Sequence, residues 1–162
     1  MKLREILTQI GPADAAAYQA CAARFDRIAK PIGSLGRLEE FLKRIAAIGK
    51  SPNVDLGRRC VLVFCADNGV LAQGVAQSTS DVTTAIGRSL AAGTASVSVM
   101  ARAAGADVFP IDMGMGEAVP GLLDRRLGAG TADISQMPAM DYETAKKGIL
   151  IGIELVRQRK EE

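Results

Sequence analysis

Two carboxylates follow apolar runs directly. Asp67 opens Asp67-Asn68-Gly69 behind Cys60-Val61-Leu62-Val63-Phe64-Cys65-Ala66, and Asp112 closes Asp107-Val108-Phe109-Pro110-Ile111 ahead of Met113-Gly114. In open α/β sheets, ligands bind beyond the carboxyl ends of strands. A carboxylate, an amide and a glycine there can hold a polar ligand and admit it close to the backbone. The same residue types also make a plain turn. Asp67 and Asp112 would share one rim, where they bind a cation or a ribose, or only solubilise strand ends. No ligand spacing specifies a metal. A third candidate is Lys30-Pro31-Ile32-Gly33-Ser34-Leu35-Gly36-Arg37-Leu38-Glu39, a glycine-rich loop running into a helix start. Lys30, Gly33 and Ser34 could hold an anion there through free N–H groups and the helix dipole. The order is not that of a Walker A loop. The alternative is an interhelical turn capped by Ser34.

Histidine is absent. That excludes His-based triads, His metal ligands and a His general base. Acid–base work falls to Asp, Glu, Lys, Cys or Tyr. Cys21, Cys60 and Cys65 form no C-x-x-C pair, so neither zinc nor redox chemistry is indicated. Cys65 reads as a small buried apolar residue, which suits a reducing cytoplasm. No metal and no cofactor are expected.

The elements that must position these residues follow from periodicity. Leu3, Ile6, Leu7 and Ile10 mark a first helix. Asp14 caps a second helix running to about Lys30. Ser34 caps a third, with Leu35, Leu38, Leu42, Ile45 and Ile48 as its apolar stripe. The run 60–66 predicts a parallel strand buried on both faces. A helical region covers about 80–104, weakened by Gly87 and Gly93. Residues 107–112 predict a second strand, and Pro110 places that point at an edge or near a strand end. Residues 116–138 are irregular and glycine-rich, with room for one short strand or a β-turn pair. Asp141 caps a last helix whose face is Ala145, Ile149, Ile153 and Val156. Two strands make an incomplete parallel sheet. The division expected is a helical part over 1–57 and the first portion of an α/β domain over 58–162.

The 162 residues are 48% apolar and 23% charged, with net charge +2, which is an ordinary globular balance. Aromatics make up 4% and Trp is absent, so an aromatic platform for nucleic acid is not expected. The pairs Arg58-Arg59, Arg125-Arg126 and Lys146-Lys147 are scattered and read as solvated surface. The six methionines read as core filler. Residues 1–5 lack the pattern of a signal peptide, and no run approaches the ~20 apolar residues of a membrane span.

The residues 30–39 resemble the K-P-x-G-S-L-G-R-L-E motif of the nicotinate-nucleotide:dimethylbenzimidazole phosphoribosyltransferases. Ala66-Asp67-Asn68-Gly69-Val70 is similar to that family's A-D-H-G-V. Gly74-Val75 with Val82-Thr83, Ile111-Asp112-Met113-Gly114, and Gly130-Thr131 with Pro138-Ala139-Met140 resemble further family segments in the family order. The resemblance implies a Rossmann-like α/β domain with a helical subdomain, a homodimer, and transfer of phosphoribose from nicotinate mononucleotide to 5,6-dimethylbenzimidazole. It places substrate contacts at Asp67, Asn68, Gly69, Ser78 and Ile86. Asn68 stands where the family has His, and Ile86 where it has Gln. The family's catalytic glutamate and G-E-M-G loop have no counterpart before Glu162, so no residue is assigned as catalytic. The expectation is a transferase chain that needs a C-terminal half or partner to complete its sheet. The alternative is a non-catalytic binding or assembly module on the same fold.

Overall fold

The computed structural model describes residues 3–161. The chain divides into two compact units, Met1–Gly57 and Arg58–Glu162.

The first unit holds α1 (Leu3–Thr8), α2 (Ala15–Asp26) and α3 (Arg37–Gly49). Asp14 caps α2 as its residue type predicts, accepting the Ala17 N–H at 2.8 Å. Helix α2 ends at Asp26, short of Lys30. Pro31 has no N–H for the carbonyl four residues earlier, so the last turn cannot propagate. Ser34 does not cap α3. The cap is Gly36, and no side chain bonds there. Gly33 and Gly36 both take positive φ, and these turns delay the helix by two residues. The leucine and isoleucine stripe of α3 is not its buried face. Leu35, Leu38, Ile45 and Ile48 are exposed, while Glu39, Ala46 and Ala47 are buried. The small residues face inward because α2 packs closely there: the Asp14 N–H bonds the Ala47 carbonyl at 3.0 Å.

Two cations and a phenol converge on Glu40 between α2 and α3. Tyr18 Oη donates to Glu40 Oε2 at 2.7 Å, and Arg44 Nε and Lys43 Nζ lie 2.8 and 3.1 Å from the same carboxylate. The Tyr18 bond, then Arg44 and Lys43, pull the Glu40 carboxyl from 4.5 down to about 2. A depressed carboxyl contributes stability that is complete above its unfolded value and lost as pH falls through the folded one. The melting temperature of the wild type should therefore fall between pH 4.5 and 2 more steeply than that of Glu40→Gln. Parallel pH profiles for the two proteins would refute this.

The second unit is built on a three-stranded parallel sheet in the order β1-β2-β3: β1 (Cys60–Ala66), β2 (Asp107–Gly114) and β3 (Leu123–Asp124). Helices α4 (Ser80–Ala91) and α5 (Ser96–Ala103) form the crossover between β1 and β2, and α6 (Tyr142–Glu161) follows the sheet. This is an open α/β fold, as the run 60–66 and the crossover predict. Cys65, Leu90, Ala95, Met115 and Val119 make its core cluster.

Several expectations are corrected here. Strand β1 is not buried on both faces: Cys65 is buried, but Phe64 on the opposite face is 47% exposed. β1 is an edge strand, so nothing among the described residues continues the sheet beyond it. The 80–104 region breaks into two helices at Gly93, which takes φ +69. Gly87 does not break α4. Its missing Cβ makes room for Met115 Cε, which an added carbon would meet at 2.8 Å.

Pro110 lies in the middle strand, paired with Val63. The Asp107 N–H donates to Arg59 toward β1, and the Asp112 carbonyl accepts Arg125 on the β3 side. Hydrogen-bonding direction alternates along a strand, so Pro110 turns its nitrogen to the β3 side. Pairing with β3 starts only at Ile111, and no ladder bond is lost.

Asp141 caps α6, accepting the Thr144 N–H at 2.7 Å. The buried face of α6 runs through Leu155, while Ile149 and Val156 are exposed. Gly148, seven residues before Leu155, packs toward Leu127. A glycine on the inner face carries no apolar signal in the sequence. The methionines are not uniformly core filler. Met115 is fully buried, whereas Met100, Met137 and Met140 are exposed. No helix among the described residues is long and apolar enough to cross a membrane.

Candidate functional site at the carboxyl end of the sheet

Beyond the end of β1 the chain makes a short 3-10 turn, Gly69–Gln73, and then a loop into α4. These segments enclose an open groove of about 290 Å³. Val70 and Leu71 supply apolar wall, and Asp67, Asn68, Ser78 and Thr83 supply polar groups. An apolar cleft with a few convergent polar groups is the usual form of a small-molecule site. The groove lies where an open α/β sheet binds ligands, past the carboxyl end of a strand.

The two strand-end carboxylates do not face each other across an empty rim. A bulge between β1 and β2 leaves Met113 without a partner, because Cys65 pairs with Asp112 and Ala66 with Gly114. Asp112 is buried, and its Oδ1 accepts the Gly114 and Met115 N–H groups at 2.9 Å each. Arg126 Nη1 lies 3.4 Å from Asp112 Oδ2, and Nη2 donates to the Met115 carbonyl at 2.7 Å. Asp67 Oδ2 accepts the Gly116 N–H at 2.6 Å, and the Asp67 N–H donates to the Gly114 carbonyl at 3.0 Å. Asp67 thus ties the 112–116 turn to the end of β1, while Asp112 braces the turn from within and holds Arg126. Arg126 is accordingly a structural cation, not solvated surface. Gly114 takes φ +149, and a Cβ there would meet the Gly128 carbonyl at 3.0 Å. No group of three or more acidic or cysteine side chains suited to a metal occurs among the described residues. The Cys65 thiol is pushed up by burial, with the Asp112 charge adding to the effect, so it stays protonated and packs as an apolar group.

Lys30, Gly33 and Ser34 belong to the other unit. Lys30 Nζ bonds Glu39 Oε1 at 2.8 Å, and the same oxygen accepts the Leu35 N–H at 3.2 Å. The Lys30 bond holds the Glu39 carboxyl below the ordinary carboxylate range. The Ser34 and Gly36 N–H groups donate to the Pro31 and Gly33 carbonyls at 3.1 and 2.9 Å. A side-chain carboxylate and backbone carbonyls thus engage the Lys30 ammonium and the Leu35, Ser34 and Gly36 N–H groups.

Residues to which the sequence assigned no role support the second unit's site from outside the groove. Thr131 Oγ1 accepts the Gly69 N–H at 3.2 Å, and Gln73 Nε2 donates to Asp133 Oδ2 at 2.6 Å. The Ser135 N–H and the Gln73 amide hold the Asp133 carboxyl below its ordinary range. The family-like Gly130-Thr131 and Pro138-Ala139-Met140 segments point to this region without giving it a role. The Ala132 N–H bonds the Ala139 carbonyl at 2.8 Å and joins them.

A family model described as phosphoribosyltransferase matches residues 10–162. The chain belongs to this phosphoribosyltransferase family. It is 41% identical over 159 residues to a nicotinate-nucleotide–dimethylbenzimidazole phosphoribosyltransferase from Chloroflexus aurantiacus, an alignment covering 96% of this chain and 45% of the relative. The protein of the same name from Geobacter metallireducens is 40% identical over 156 residues, covering 94% and 44%. The crystal structure of such an enzyme from Thermus thermophilus superposes with a TM-score of 0.81 at 36% identity, covering 90% of this chain and 45% of that one. The chain therefore spans about half the length of the relatives it matches.

Within this phosphoribosyltransferase fold, Asp67, Asn68 and Ser78 come together in one groove. Gly69 lies in the turn beneath its wall and packs on residues 131–133. Ile86 is 50% exposed on α4, one turn beyond the groove residue Thr83.

Proposed function

We propose that the groove at the end of β1 is the acceptor-base site of a phosphoribosyl transfer from nicotinate mononucleotide to 5,6-dimethylbenzimidazole, a step of cobalamin lower-ligand synthesis. The observation that carries this is the convergence of Asn68 and Ser78 on a cleft walled by Val70 and Leu71. Apolar walls suit the faces of a flat bicyclic base, and the amide and hydroxyl suit its ring nitrogens. The names and the fold of the relatives support the same substrates.

The transfer is a displacement at an anomeric carbon. The pyridinium ring of nicotinate leaves as a neutral nitrogen base, and a carboxylate takes the acceptor's proton. Asp67 and Asp112 are committed to the 112–116 turn. The family resemblance puts the base, and the loop that holds the phosphate, in polypeptide matching the rest of the relatives' length. The open edge of β1 suits it, since a further parallel strand there would extend the sheet and its crossover helix would cover Phe64. Homodimer formation and a cytoplasmic location belong to the same proposal; the first rests on the resemblance and the second on the cysteine usage.

The test is direct. The 162-residue chain, nicotinate mononucleotide and dimethylbenzimidazole are mixed and α-ribazole phosphate is assayed, with calorimetry for binding of the base alone. The expected result is binding without turnover, and turnover once polypeptide matching the rest of the relatives' length is supplied as a second chain. Turnover by the chain alone would place the base within it, and absence of binding would remove the acceptor site.

A further inference from the structure

The acceptor groove has a wall made of only five residues, Gly69–Gln73, wound as a 3-10 turn. Such a turn has weaker hydrogen-bond geometry than an α-helix and does not hold its shape alone. We propose that residues 127–133 are a strap that fixes this wall, and that Thr131 and Asp133 are positioning residues for the base-binding site. The inference deepens the acceptor-site reading and, for its ligand effects, rests on it.

The strap lies across the carboxyl ends of both long strands. The Leu127 N–H bonds the Met113 carbonyl at 3.0 Å, past the end of the Asp112 register, and the Thr131 N–H bonds the Asp67 carbonyl at 3.1 Å. From there it holds the turn at both ends. The Thr131 hydroxyl donates to the Ala132 carbonyl at 3.1 Å, which leaves its lone pairs to accept the Gly69 N–H at 3.2 Å. At the other end the Asp133 carboxylate accepts the Gln73 amide. Val70 and Leu71, the apolar wall, lie between these two anchors.

The fit is close. A Cβ on Gly69 would stand 2.6 Å from the Thr131 carbonyl oxygen, and one on Gly130 would stand 3.0 Å from the Asp67 carbonyl oxygen. The second position also has φ +96, which glycine adopts without strain. Neither Thr131 nor Asp133 lines the groove. Their effect on a bound base must pass through the backbone of 69–73.

The experiment uses the full chain with Thr131→Val, which keeps shape and removes the acceptor, Thr131→Ser, which keeps the hydroxyl, and Asp133→Ala. Two quantities are read: amide hydrogen exchange of Gly69 through Gln73 without ligand, and the Kd of dimethylbenzimidazole by calorimetry. Thr131→Val should speed exchange at Gly69 and its neighbours and raise Kd about tenfold, the weight of one lost hydrogen bond. Asp133→Ala should act at the Gln73 end, and Thr131→Ser should restore both readouts. A general loss of stability would speed exchange throughout the second unit and would not be relieved selectively by serine. Wild-type Kd in Thr131→Val would overturn the positioning role while leaving the acceptor site standing. If the wild type binds no base, the acceptor reading fails, and exchange alone judges the strap. Unchanged exchange at Gly69 would then overturn it.

Discussion

Replacing Asp112 by alanine should destabilise the second unit by about 3 kcal/mol, which is within the range for breaking a buried charged pair and leaving its donors unmet. Three groups lose their partner together. The Gly114 and Met115 N–H groups both donate to Asp112 Oδ1, and Arg126 sits beside Oδ2. Asp112, Gly114 and Met115 are all buried, so water cannot replace the carboxylate at the two amides without opening the core. Asp112→Asn should cost less, since its side-chain oxygen can still accept from the turn while the ion pair to Arg126 is lost. A denaturant titration gives the magnitude, and exchange at the Gly114 and Met115 amides gives the location. A loss under about 1 kcal/mol would mean that the turn holds through its other bonds, such as the Asp67–Gly116 contact.

Gly69→Ala should be nearly as severe, for a different reason. The added carbon would stand 2.6 Å from the Thr131 carbonyl oxygen and 2.7 Å from both the Ala132 carbonyl carbon and the Asp133 nitrogen. These are backbone atoms of the strap, itself bonded to β1 and β2, so they cannot swing aside as a side-chain tip can. Overpacking typically costs about 1–3 kcal/mol, and this substitution belongs at the top of that range. It should also abolish base binding, because the wall 69–73 must move. Gly87→Ala is the internal control. The nearest atom there is Met115 Cε at 2.8 Å, the free end of a flexible side chain, and a cost of about 1 kcal/mol is expected. If the two alanines proved equally costly, the rigidity ascribed to the strap would be wrong.

The two strand ends illustrate what can be read in advance. Asp67 and Asp112 are recognisable as strand-end residues because each follows an apolar run, and the structure puts both at the carboxyl end of the sheet. What they do there was not legible. A carboxylate that caps backbone N–H groups and one that awaits a ligand have the same sequence signature. Thr131 and Asp133 carry no local signal either, since their partners Gly69 and Gln73 are about sixty residues away. The α3 stripe shows the opposite failure. Its periodicity is real, yet periodicity states only that apolar residues share a face. The side that packs on α2 was taken by alanines and by Glu39, paired with Lys30.

The sequence by itself determined the fold class, the helix starts at Asp14 and Asp141, the two long strands and their crossover, and, through the ordered motifs, the family. These rest on short-range pattern and on residue types whose backbone preferences act locally. Only the tertiary structure decided which carboxylates are already engaged, why Pro110 is tolerated in the middle strand, and that a distant strap fixes the groove wall. Those depend on which backbone groups meet across the fold, and hydrogen bonds between residues far apart in sequence leave no period to read.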